Sequence, residues 1–121
     1  MISHVVLIKP RPDLTSEESR AFVAAFERAI LEIPTVRAVR IGQRIRHGAA
    51  YESLGPDMAD YIAVIDFENL DGLQAYLAHP AHVRLGELFY SSLEAGMVYD
   101  FEVGSLELLW KLVQDGDPEI R

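Results

Sequence analysis

Residues 61–83, YIAVIDFENLDGLQAYLAHPAHV, change period twice, and those two changes decide the fold. Tyr61 to Glu68 is rich in β-branched and aromatic residues, the composition of a strand. Asn69 then offers a side-chain oxygen to the amides of a following turn, so it starts a short helix with Leu70, Leu73 and Leu77 expected to face inward. His79 stands before proline, which pushes it out of the helical region and ends that helix. Pro80 has no amide hydrogen to lose and a dihedral preset for helix, so it opens a second one. This second helix is expected to reach about Ala95, with Val83, Leu88, Phe89 and Leu93 as its apolar side and Gly96 closing it.

Towards the N-terminus, Ile2 to Lys9 reads as a strand whose two alternating sets, Val5/Leu7 and His4/Val6/Ile8, are both largely apolar, so both faces are expected to be covered. Pro10 and Pro12 end it. Thr15 and Glu18 form a capping box, after which Ala21, Phe22, Ala25, Phe26, Ala29, Ile30 and Ile33 recur at helical spacing until Pro34. Val36 to Arg46 alternates Val39, Ile41 and Ile45 with arginines, the pattern of an edge strand, and residues 47–59 are an aperiodic loop. Towards the C-terminus, Met97 to Val103 is a fourth strand and Leu106 to Val113 a short amphipathic helix before the polar end QDGDPEIR.

The order β-α-β-β-α-β is that of an α+β, ferredoxin-like sheet with both helices on one face, here with an extra C-terminal helix. The domain is expected over residues 1–103 and the extension over 104–121. Because the strands are apolar on the side the helices leave bare, a homodimer that encloses the two bare faces is expected. At 121 residues, half of them apolar, the chain holds one core and not two. It has no cysteine, which excludes disulfides, thiolate nucleophiles and cysteine-ligated metals. The start MISHVVLIKPRPD lacks the basic region and cleavage site of a secretory signal, and no apolar run approaches membrane-spanning length, so a soluble, cytoplasmic protein without membrane contact is expected. Net charge is −8, with 8 Lys+Arg against 7 Asp+Glu in residues 1–58 and 3 against 12 in residues 59–121, a balance that argues against a nucleic-acid partner. Arg37, Arg40, Arg44 and Arg46 form a local basic run, either a charged strand edge or a place for an anionic substrate group.

Four residues could carry chemistry. His79 and His82 are three apart, but Pro80 breaks the helix between them and no third ligand stands at a diagnostic spacing, so no metal site is expected. His79 reads as a helix-terminal residue bonding a carbonyl or water. His82 is either a surface residue of a first helical turn or a general base, and Tyr76 is either core or a phenol close enough to share a cavity with it. His4 and Asp100 lie on the first and last strands, which are antiparallel neighbours in this topology. Either they form a structural hydrogen bond, or Asp100 orients His82 while His4 completes the polar network.

Taken together, SHVVLIKP near the start, the stretch 61–83, and VYDFE near the end resemble the stress-responsive dimeric α/β-barrel (Dabb) family over residues 1–103. The resemblance implies a ferredoxin-like domain paired into a dimeric α/β barrel. For a plant polyketide cyclase of that family it further implies intramolecular aldol condensation with no cofactor and no metal. On that resemblance His4, Tyr76, His82 and Asp100 match catalytic positions. Phe22 and Phe26 match the helix lining an apolar substrate pocket, with Phe26 where the cyclase has tyrosine and Tyr61 where it has histidine. The implied function is a small enzyme acting on an apolar carbonyl or polyketide-like compound by enolate chemistry, cyclisation or isomerisation. The rivals are a non-enzymatic, stress-responsive dimeric scaffold and a cofactor-free monooxygenase.

Overall fold

The computed structural model of the chain describes residues 1–116. Strand β1 (Ile2–Pro10) leads to helix α1 (Ser16–Glu32), strand β2 (Ala38–Gln43) and strand β3 (Tyr61–Phe67). Helices α2 (Leu70–Ala78) and α3 (Pro80–Ser92) follow, then strand β4 (Leu93–Glu102) and a terminal helix α4 (Lys111–Gly116). The four strands form one antiparallel sheet in the order β2-β3-β1-β4. Residues 117–121, the end of the expected polar tail, lie outside the described residues.

Strand alternation sorts side chains onto two faces. His4, Val6, Ala63, Ile65 and Phe67 share the covered face, where Ile65 and Phe67 pack with Ala25 and Ala29 of α1, Ile33 just past its end, Leu73 and Tyr76 of α2, and Ala81 and Leu85 of α3. Thr15 caps α1 in the expected box, its hydroxyl accepting from the Glu18 amide while the Glu18 carboxylate accepts from the Thr15 amide. Asn69 caps α2 by accepting from the Gly72 amide at 3.0 Å. The other face carries Val5, Leu7, Ile62, Val64, Met97, Tyr99 and Phe101, with Ser3 donating to Asp66 at 2.6 Å. Among the described residues no helix packs there, and Tyr99 and Phe101 stay half exposed.

Several boundaries depart from expectation for identifiable reasons. Helix α3 ends at Ser92 rather than Ala95, because β1 pairs with β4 as far as Pro10↔Leu93, and backbone pairing takes the residues that would have made another helical turn. Gly96 accordingly closes no helix. It lies inside β4 opposite Ile8, where a Cβ would sit 3.0 Å from the Leu7 carbonyl oxygen and 3.0 Å from the Phe89 ring. A Gly96→Ala variant is expected to lose about 1–3 kcal/mol of stability, because the carbonyl is held in the ladder and cannot retreat; a denaturant midpoint no lower than wild type would show that the strand yields.

Strand β2 is shorter than Val36–Arg46, although the Arg37 and Arg44 amides still bond the Asp66 and Asp60 carbonyls just beyond its ends. Ile41 and Ile45 are exposed at this sheet edge. In α2 the inward pair is Leu73 and Tyr76, while Leu70 and Leu77 flank it and are exposed; in α3 Leu85 turns inward and Val83 does not. The loop 47–59 contains one 3-10 turn, Ala50–Ser53. The C-terminal segment begins as a 3-10 turn (Leu106–Trp110) that runs into α4, and Leu106, Leu109, Trp110 and Val113 are all exposed instead of packing on their own domain.

Candidate active site

The break at Pro80 builds the site. His79 has an extended backbone, receives the end of α2 through its amide bond to the Tyr76 carbonyl, and caps α3 by accepting from the Ala81 amide on its ring Nδ1 at 3.0 Å. Its Nδ1 is therefore engaged by a backbone amide. The corner turns the first residues of α3 back towards the last turn of α2, and the rings of Tyr76 and His82 meet with centroids 4.7 Å apart. Tyr76 is held from behind by Phe67 at 5.0 Å and edge-on by His4 at 5.8 Å.

His4 reaches this cluster from β1, and its strand partner in register is Asp100 of β4. The His4 Nδ1–H donates to the Asp100 carboxylate at 2.6 Å. His4 is buried while the carboxylate keeps partial contact with solvent. The two residues meet as expected, but the carboxylate expected to orient His82 is taken by His4, because cross-strand register brings them face to face.

His4, Tyr76 and His82 line a cavity of about 240 Å³ whose other walls include Val6, Phe26, Ile65, Leu85, Phe89 and Val98. Burial pushes the Tyr76 phenol up to about 12, so it remains a proton donor throughout the neutral range. Burial lowers the pKa of His82 from its ordinary 6.5, and the neighbouring His4 adds to this, against a smaller opposing contribution from the Leu77 carbonyl. The cavity thus pairs a neutral imidazole, able to accept a proton, with a phenol able to donate a hydrogen bond. Among the described residues no group of three or more His, Cys, Asp or Glu side chains is placed to hold a metal ion.

The expected apolar contacts divide. Phe26 lines this cavity, whereas Phe22 and Tyr61 line a separate groove of about 500 Å³ with Ile8, Leu14 and Ile41; Phe26 stands between the two. Three of the four arginines of the run are paired along the sheet edge, Arg37 with Glu68 at 2.9 Å and Arg44 and Arg46 with Asp57 at 2.8 and 3.4 Å. Leu85, Gly86 and Tyr90 also border the first cavity and were not among the expected site residues. Their signal was present: counted from His82 they recur with Phe89 at steps of three, four, seven and eight, one face of a helix.

Among the described residues no helix is long and apolar enough to cross a membrane. Two curated plant proteins are similar to the chain. Olivetolic acid cyclase of Cannabis sativa is 23% identical over 100 residues, covering 83% of this chain and 94% of that protein. The stress-response A/B barrel domain-containing protein HS1 of Arabidopsis thaliana is 24% identical over 107 residues, covering 88% and 94%. Among solved structures, a dimeric ferredoxin-like protein from Jannaschia sp. superposes with a TM-score of 0.67 at 23% identity, over 84% of this chain and 98% of that one. Residues 2–103 match the model of the Stress responsive A/B Barrel Domain, and the chain belongs to that family.

Proposed function

We propose that the chain is a small enzyme that forms an enolate from an apolar carbonyl compound and uses it for cyclisation or isomerisation. The observation that carries the proposal is the Tyr76–His82 pair, a protonated phenol against an imidazole of lowered pKa, in an apolar cavity. A neutral His82 takes the proton from the carbon next to the carbonyl. The electron pair of the broken C–H bond moves into a carbon–carbon double bond, and the negative charge passes to the oxygen, where the Tyr76 hydroxyl donates a hydrogen bond. In a cyclisation the enolate carbon then bonds a second carbonyl carbon of the same molecule, and the resulting alkoxide recovers the proton from the His82 imidazolium. The bond to Asp100 holds the His4 imidazole in one orientation beside the phenol. The similarity to a cyclase points the same way.

The test is proton exchange. In D2O at neutral pH the protein is expected to speed incorporation of deuterium next to the carbonyl of 2-octanone or phenylacetone. No acceleration over buffer for either ketone would remove the reading and favour its rival, a non-enzymatic stress-responsive dimeric scaffold. As the assembly in which the site operates we propose a homodimer, because the uncovered sheet face is apolar and the similar Jannaschia structure is described as dimeric. The exposed tail continues from β4, whose Tyr99 and Phe101 lie on that face, so the second copy also gives Leu109 and Trp110 a surface to cover them.

A further inference from the structure

Gly86 sits in the middle of α3, where glycine costs roughly 1 kcal/mol relative to alanine. Other glycines of this chain have local reasons. Gly42 and Gly96 are crowded, with a Cβ falling 2.9 Å from Ile62 and 3.0 Å from the Leu7 carbonyl, and Gly48 and Gly55 hold φ of 87° and 75°. Gly86 has neither reason: its φ is not positive, and a Cβ there would meet nothing within 4 Å. Yet it is half-buried and lines the cavity on the same helical face as His82, Leu85 and Phe89. Four large side chains of α3, those of His82, Leu85, Phe89 and Tyr90, thus border the cavity, and among them stands a position with no side chain. Tyr90, next on that face, is exposed, so the cavity reaches solvent on this side.

We propose that Gly86 determines how bulky a ligand the cavity admits, its missing side chain leaving the width that a ring needs beside Tyr76 and His82. The proposal rests on the reading of the cavity as a binding site for an apolar carbonyl compound. At about 240 Å³ the space exceeds the roughly 150 Å³ that holds one benzene in an engineered apolar cavity. A leucine at this position would project into that space, so the ligands excluded first are those with fused or substituted rings, while small ketones still enter.

The experiment compares wild type, Gly86→Ala and Gly86→Leu, using naphthalene as a probe without a carbonyl and shifts of the His82 ring resonances as the readout. Wild type is expected to bind naphthalene with the His82 signals moving. Gly86→Ala should melt roughly 3–5 °C higher, since the added methyl improves the helix and meets no neighbour. Gly86→Leu should stay folded and bind naphthalene about tenfold or more weakly, because the probe and the new side chain compete for one space. Wild-type-like naphthalene affinity in folded Gly86→Leu, a lowered melting temperature in Gly86→Ala, or no naphthalene binding to wild type would each overturn the proposal. The two readings fail separately. Gly86-dependent naphthalene binding without ketone exchange leaves the size limit standing and removes the enolate chemistry, whereas exchange with Gly86-independent binding does the reverse.

Discussion

His82→Ala and Tyr76→Phe are each expected to slow deuterium exchange into a bound ketone by about 10²-fold or more, the usual loss for a positioned base or a hydrogen-bond donor to a developing oxyanion. Either substitution leaves most of the cavity wall in place, so binding should change less than turnover. Asp100→Asn should have a smaller effect, since it acts through His4 and does not border the cavity. His79→Ala should spare the rate and cost about 1 kcal/mol of stability, because its ring caps α3 and does not line the cavity. The pH profile follows from the two cavity groups. The base works only when neutral, so the rate should rise with pH through a point below 6.5 and stay level across the neutral range, with Tyr76 deprotonating only near 12. Stability carries the same sign: the unfolded chain protonates His82 at higher pH than the folded one, so this contribution is lost as pH falls below 6.5. A His82→Ala protein that is folded and exchanges protons at the wild-type rate would return the imidazole to a packing role.

The second large effect concerns the open face. Val5 lies on the central strand between Val64 and Tyr99, half covered in the single chain. Val5→Asp should leave the protomer folded and weaken the dimer by about 10²- to 10³-fold or more, since an unpaired carboxylate enclosed between two apolar sheets costs several kcal/mol. Val5→Thr keeps the shape without the charge and should keep the dimer. Trp110 is the chain's one tryptophan and reports on the tail directly. Its emission should be blue-shifted in the dimer and move to the red in Val5→Asp, where the indole returns to the exposure it has in the single chain. A wild type that is monomeric at micromolar concentration by light scattering would dispose of the dimer.

Most of the framework was legible because its signals are local. The capping box at Thr15, the cap at Asn69 and the break at Pro80 depend on neighbours within a few residues, and each stands where the chain pattern puts it. That His4 and Asp100 lie on neighbouring strands followed from topology, whereas the register that bonds Asp100 to His4 rather than to His82 did not. What could not be read depends on rotation and competition. Whether Leu73 and Tyr76 or Leu70 and Leu77 turn inward is settled by how α2 lies on Phe67, and a nine-residue helix has too few turns for its period to decide. The end of α3 was misplaced because residues 93–95 suit either element, and the demand of β1 for a partner chose between them. Gly96 looked like a helix terminus for the same reason.

The two halves of the site are wired to the chain very differently. Tyr76 and His82 belong to one corner and come together as soon as α2 and α3 form, whereas His4 and Asp100 are 96 residues apart and join only when the last strand is laid against the first. Closing so long a loop is entropically costly and slow compared with the corner. On a ribosome the phenol and imidazole would emerge as a pair while His4 still waited for a carboxylate not yet synthesised, and β1 would keep one edge unpaired until β4 arrived. The bond between His4 and Asp100 therefore forms only in a chain whose sheet is complete. The state of that one bond separates finished molecules from those still open to aggregation at an unpaired strand.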